Sequence, residues 1–210
     1  IITNAFEEFL SDYQQTINMF RYLDIYNKCI NKFANKNYIK CFSNLNTKEN
    51  IFQYNCYKIE ELENPKLKNV KILNIYDKKN LKKNILSNSL KMLYFSYRCR
   101  YKLEKGMIPN NLDILKFYYY NYPFEKDLLS RSLKILIVDY NHIFYKDVLP
   151  QSLKRLYLGN NYNRPFEKGV LPDSLEILKL GDKYNQPFEK DVLPVSLKIL
   201  ALGYNYNQPF

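Results

Sequence analysis

The sequence predicts an α+β repeat protein. It would be a solenoid with one short parallel strand per repeat of about 22 residues, behind a small helical N-terminal segment. Three observations carry this. Near-verbatim copies close the chain at Leu149–Phe166, Leu171–Phe188 and Leu193–Phe210. Three apolar columns hold through seven copies of the pattern L-x-x-L-x-L. The first third has no such register and shows helical spacing instead.

The N-terminal segment, residues 1–65, is read as helical and as either F-box-like or capping. Phe6, Phe9, Leu10, Tyr13, Ile17, Phe20 and Leu23 fall three or four residues apart. Ile25, Cys29, Ile30, Phe33 and Ala34 continue that character, with Ser11-Asp12 placed as a cap or turn. A helical segment here would shield the first strand of a solenoid from solvent.

Residues 66–210 are read as the solenoid. The first column is Val70, Leu90, Leu112, Leu133, Leu153, Leu175 and Leu197, with steps of 20, 22, 21, 20, 22 and 22 residues. Three positions later stand Leu73, Leu93, Leu115, Leu136, Leu156, Leu178 and Leu200. Two further on are Ile75, Phe95, Phe117, Val138, Leu158, Leu180 and Leu202. A spacing of two puts the last two columns on one face of an extended strand. One copy alone buries too little to fold, so neighbours must stack. Gly159, Gly181 and Gly203 are expected to end the strand or allow a tight bend. Pro150, Pro172 and Pro194 mark the boundary before the next strand, because proline donates nothing to a ladder. Phe124, Phe144, Phe166, Phe188 and Phe210 are expected to stack in the core. Asn121, Asn141, Asn163, Asn185 and Asn207 are expected as a buried ladder bonding the backbone of adjacent coils.

The motif LPxSLxxLxLGxxYNQPF resembles FNIP repeats, a leucine-rich-repeat-like (LRR-like) unit found mainly in amoebae and in the giant viruses that infect them. The resemblance covers roughly Val70 to Phe210. Earlier copies depart from it: Leu86-Ser87 and Leu129-Ser130 stand where later copies have Leu-Pro, which implies less regular turns there. In F-box and FNIP repeat-containing proteins the repeats often follow an F-box-like segment, and Phe9-Leu10-Ser11-Asp12 resembles the start of one. The resemblance implies a substrate-recognition subunit of a cullin–RING (SCF-type) ubiquitin ligase. Its N-terminal segment would dock a Skp-type adaptor and its repeats would hold a protein target. The alternative is a plain repeat scaffold with no ligase link.

The chain carries a net charge of +11 with 46% hydrophobic residues, which excludes a disordered chain. No apolar run approaches the ~18 residues of a membrane-spanning helix, so no membrane role is expected. Residues 66–105 hold twelve cations and two acids, a net of 12 − 2 = +10. Such a patch attracts phosphate backbones, so nucleic acid is the lesser alternative partner, testable by charge reversal at Lys78, Lys79, Lys82 and Lys83. Cys29, Cys41, Cys56 and Cys99 include no C-x-x-C pair, so neither zinc nor a disulfide framework is expected. Free thiols favour the cytoplasm, a host cell's if the protein is viral, or the nucleus. The single histidine, His142, has no recurring partner, and the Glu-Lys-Asp triplets repeat with the coils, whereas a catalytic site needs one unique constellation. No enzyme activity and no cofactor are expected.

Recognition is expected on the outward strand face, two and four residues after the first column. The candidate partner-binding residues are Tyr94, Ile114, Lys116, Ile135, Ile137, Arg155, Tyr157, Ile177 and Lys179. Apolar and aromatic side chains on a solvent-facing sheet suit a protein partner. They also suit plain lateral packing along a ladder.

Overall fold

A computed structural model describes residues 53–97 and 99–209, all within one compact unit, Asn50–Phe210. The helical run over Phe6–Ala34, the F-box-like segment, Cys29 and Cys41 lie outside the described residues.

Eight strands form one parallel sheet in chain order: β1 (Gln53–Cys56), β2 (Ile72–Ile75), β3 (Met92–Phe95), β4 (Ile114–Phe117), β5 (Ile135–Val138), β6 (Arg155–Leu158), β7 (Ile177–Lys179) and β8 (Ile199–Ala201). Strand pairing reproduces the sequence columns residue for residue. Leu73, Leu93, Leu115, Leu136, Leu156, Leu178 and Leu200 are consecutive partners. The sheet also reaches back into the stretch read as N-terminal. β1 places Tyr54 and Cys56 in the two inward columns beside Leu73 and Ile75.

The described repeats form a parallel β-solenoid with little helix, and the helical part of the α+β expectation falls mostly outside the described residues. Among the described residues the only helices are two short 3-10 turns, Ile59–Glu63 and Pro65–Asn69, both in the first coil. Every later coil returns through hydrogen-bonded turns. Three of them recur. The first runs from the strand end to an inward tyrosine, as in Tyr184 N–H to Gly181 O at 3.1 Å. The second closes Glu-Lys-Asp, as in Leu128 N–H to Glu125 O at 3.2 Å. The third closes Pro-x-Ser-Leu, as in Leu175 N–H to Pro172 O at 3.0 Å.

The second turn explains the repeated acidic triplet. Its third residue has positive φ in every coil: Asn84, Gly106, Asp127, Asp147, Gly169 and Asp191. Only Gly, Asn and Asp enter that region at low cost, so the column is limited to those three residues. The third turn is equally closed where serine replaces proline: Leu133 N–H reaches Ser130 O at 3.1 Å, as Leu153 reaches Pro150 at 3.0 Å. The less regular turns expected there are absent.

The interior is two aromatic stacks beside the leucine columns. Of the expected phenylalanine column, Phe124, Phe144 and Phe166 are buried, Phe188 is partly buried, and Phe210 lies outside the described residues. A second stack of Tyr120, Tyr140, Tyr162 and Tyr184 lies against them, also buried. Tyr162 and Tyr184 stack with centroids 6.0 Å apart and planes 7° apart. The coil-to-coil hydrogen bonds form ladders. Ser152, Ser174 and Ser196 each donate 2.7 Å to the first-column leucine carbonyl of the preceding coil. Asn141, Asn163 and Asn185 each accept from the backbone N–H of the next asparagine at 2.9–3.1 Å. That ladder is as expected in its bonding, yet it runs along a partly exposed edge and is not buried.

Candidate interaction surface

A stacked solenoid offers two places for recognition: the outward strand face and the corner that follows each strand. In β5 and β6 burial alternates, with Leu136, Val138, Leu156 and Leu158 inside and Ile135, Ile137, Arg155 and Tyr157 partly exposed. Of the other expected face residues, Lys116 and Ile177 are partly exposed and Lys179 is exposed, while Tyr94 and Ile114 are buried. Burial pushes the Tyr94 phenol up to about 12, so it stays neutral and packs as an apolar ring. Parallel pairing brings the face residues into two rows: Ile114, Ile135, Arg155 and Ile177, and Tyr94, Lys116, Ile137, Tyr157 and Lys179. Lys116, Ile137 and Tyr157 line one shallow depression with Tyr118 and Asp139.

The corner holds what the sequence reading missed. From the inward strand residue to the tyrosine column, the corner is Tyr76 in one coil and Ser96-Tyr97-Arg98 in the next. It is then Tyr118-Tyr119, Asp139, Gly159-Asn160-Asn161 and Gly181-Asp182-Lys183. Their lengths of one, three, two, one, three and three residues follow the repeat steps of 20, 22, 21, 20, 22 and 22 one for one. All length variation of the repeat is therefore confined to this corner. Loops that vary on a fixed scaffold are a common seat of recognition.

The glycines at these corners open the turn that follows the strand, as expected, and they also serve close stacking. A Cβ on Gly181 would lie 2.4 Å from Asn160 Cα, and one on Gly203 2.4 Å from Asp182 Cα. Neither residue has positive φ. The first coils lack these glycines and carry tyrosines that project instead: Tyr57 (48% exposed), Tyr97 (55%) and Tyr118 (64%). Tyr57 stacks on Tyr76 at 5.0 Å, and Tyr97 meets Tyr118 edge-on at 6.3 Å.

The basic window is partly neutralised by carboxylates. Lys79 pairs with Glu60, Lys82 with Glu63 at 2.8 Å, Lys83 with Glu104 at 2.9 Å, Lys102 with Glu125 at 2.7 Å and Lys105 with Asp127 at 3.2 Å. Of the four lysines chosen for charge reversal, three are thus held in ion pairs. Lys78 has no carboxylate within ion-pair reach among the described residues, and the same is true of Arg100. Asp77 lies between Tyr76 and Lys78. Partial burial opposes its charge, but the N–H groups of Lys79, Ile59 and Lys78 hold its carboxyl below the usual range. The Ile59 N–H donates to it at 2.7 Å.

Little points to chemistry. Among the described residues no three His, Cys, Asp or Glu side chains converge as metal ligands. His142 meets the Asn121 side-chain oxygen at 3.4 Å. Cys56 and Cys99 are buried free thiols, and burial pushes Cys56 up to about 12. No helix among the described residues is long and apolar enough to cross a membrane.

The FNIP Repeat family model matches residues 76–119, 101–139, 120–160, 140–183 and 184–210, most of the chain. Among solved structures, the chain is similar to CroV588, a giant-virus protein described as a novel circular LRR protein. The two are 29% identical, with a TM-score of 0.63 over 67% of this chain and 25% of that one. The chain thus spans about a quarter of the length of that protein. No curated protein matches.

Proposed function

Because the chain belongs to the FNIP repeat family, we propose that it is a protein-interaction module with no catalytic activity of its own, serving as the substrate-recognition subunit of a cullin–RING (SCF-type) ubiquitin ligase. An LRR-like repeat protein is in general a scaffold for protein partners, since stacked coils offer a long continuous surface. The observation that supports target binding is the contrast between the two faces of one sheet. Inward positions repeat with little variation, while one outward row changes from coil to coil, Lys116, Ile137, Tyr157 and Lys179; the other, Ile114, Ile135, Arg155 and Ile177, is isoleucine except at Arg155. Packing demands the first pattern and is indifferent to the second. Tyr94 belongs to the same surface as a supporting ring. The ligase link rests on the pairing of FNIP repeats with F-box-like segments and on Phe9-Leu10-Ser11-Asp12. The module would work in the cytoplasm, with no cofactor.

The full chain, immobilised and presented with a purified Skp-type adaptor, should retain it, and Leu10→Glu should abolish retention. No retention by the intact chain would remove the ligase reading and leave the plain scaffold. Ile135→Glu with Tyr157→Ala should then weaken target capture while adaptor binding stays unchanged.

A further inference from the structure

We propose that the corners of the first coils form a platform for single-stranded nucleic acid, built from Tyr57, Tyr76, Tyr97 and Tyr118 with Lys78 and Arg100 beside them. The later coils show that the fold needs none of these residues. Coils β5–β7 close the same corner with Asp139, Gly159-Asn160-Asn161 and Gly181-Asp182-Lys183, and stack their columns equally well. Four successive coils instead place a tyrosine there, three of them about half exposed or more. The rings meet in two pairs along the corner, Tyr57 stacked on Tyr76 with centroids 5.0 Å apart and Tyr97 edge-on to Tyr118 at 6.3 Å. Exposed rings in file are what successive bases stack on, without regard to sequence.

The second observation is charge. The position after the tyrosine column is asparagine in five coils, Asn121 to Asn207, where it builds the backbone ladder. In the two coils before them the same position is Lys78 and Arg100. Both are exposed and have no carboxylate in ion-pair reach among the described residues. Lys79, Lys82 and Lys83, by contrast, are paired with Glu60, Glu63 and Glu104. Asp77, next to Lys78 in the chain, is turned to the backbone N–H groups of Ile59 and Lys79. Rings flanked by uncompensated cations fit a chain of bases and phosphates. An acidic protein segment would need the cations but not the rings. This platform borders the outward strand face at Tyr118, which shares a depression with Lys116, Ile137 and Tyr157, while Tyr57, Tyr76, Tyr97, Lys78 and Arg100 stand outside the two strand rows, so its failure would leave the protein-binding proposal to its own test.

The test is fluorescence anisotropy of a labelled 12-mer of deoxythymidylate with the full 210-residue chain, beside a polyglutamate competitor. Binding should weaken with salt at a slope of about −2 in log–log form, as for two or three phosphate contacts. Tyr97→Ala with Tyr118→Ala should reduce affinity by roughly tenfold or more, and Tyr97→Phe with Tyr118→Phe should retain it, since stacking needs the ring and not the hydroxyl. Lys78→Glu with Arg100→Glu should abolish binding, and circular dichroism should show each variant folded. No binding at low salt would overturn the proposal. So would binding indifferent to the tyrosine-to-alanine change, or equal displacement by polyglutamate, which would assign the surface to an acidic protein.

Discussion

Tyr140 and Tyr184 occupy one column yet do different work. The Tyr140 hydroxyl accepts the Phe124 N–H of the preceding coil at 3.1 Å, inside the core. The Tyr120 hydroxyl accepts the Leu103 N–H in the same way, also at 3.1 Å. The Tyr184 hydroxyl is buried and meets no hydrogen-bond partner among the described residues, and Tyr162 is alike. Replacing either phenol by Phe keeps the ring stack, so the pair isolates the hydroxyl. Tyr140→Phe should cost about 1–3 kcal/mol by leaving a buried N–H unpaired. Tyr184→Phe should be neutral or stabilising. Urea midpoints of the two variants decide it, and equal losses would refute the assignment. None of this is visible in sequence, where the two tyrosines sit in the same Tyr-Asn context. The difference arises from the two extra corner residues that precede Tyr184, relative to Tyr140.

At the level of the coil, Gly181 and Gly169 separate two reasons for glycine. Gly169 has φ +79 with nothing within 4 Å of a built Cβ, whereas Gly181 has ordinary φ and backbone atoms at 2.4–2.7 Å. Gly181→Ala should therefore cost roughly 3 kcal/mol, the upper end for overpacking against an interior that cannot give way. Gly169→Asn should be nearly silent, since Asn84 and three aspartates already hold that conformation in other coils. Thermal melts of the two variants check both, and a larger loss at Gly169 would reverse the assignment. The strand of each coil was legible because Leu-x-x-Leu-x-Leu binds burial to spacing. The serine ladder was not, since Ser reads in a sequence as turn chemistry while its hydroxyl acts on the neighbouring coil. β1 escaped for the opposite reason: it fills the leucine columns with Tyr54 and Cys56, which carry no leucine signal.

Across the whole molecule, stability should behave as a one-dimensional sum over neighbouring coils. Leu156 is fully buried between coils on both sides, while Leu200, in β8, is only partly buried. Leu156→Ala should cost about 2–5 kcal/mol. Leu200→Ala should cost about 1–2 kcal/mol, in keeping with its smaller buried area. Amide exchange should be slowest in β3–β6 and fastest in β8; uniform protection along the sheet would contradict additive coils. The repeat period made this architecture readable before any coordinates, whereas the outward rows, unconstrained by packing, left their meaning open. The confinement of length variation to one corner has a practical result. A graft of several residues at Tyr97 or Tyr119, exposed corners of adjacent coils on which no glycine packs, would enter where the molecule already accepts one to three residues without losing register. The columns above and below such a graft would have no need to shift. The solenoid is thus a ready frame for displaying foreign peptides side by side at the pitch of its own strands, about 4.8 Å.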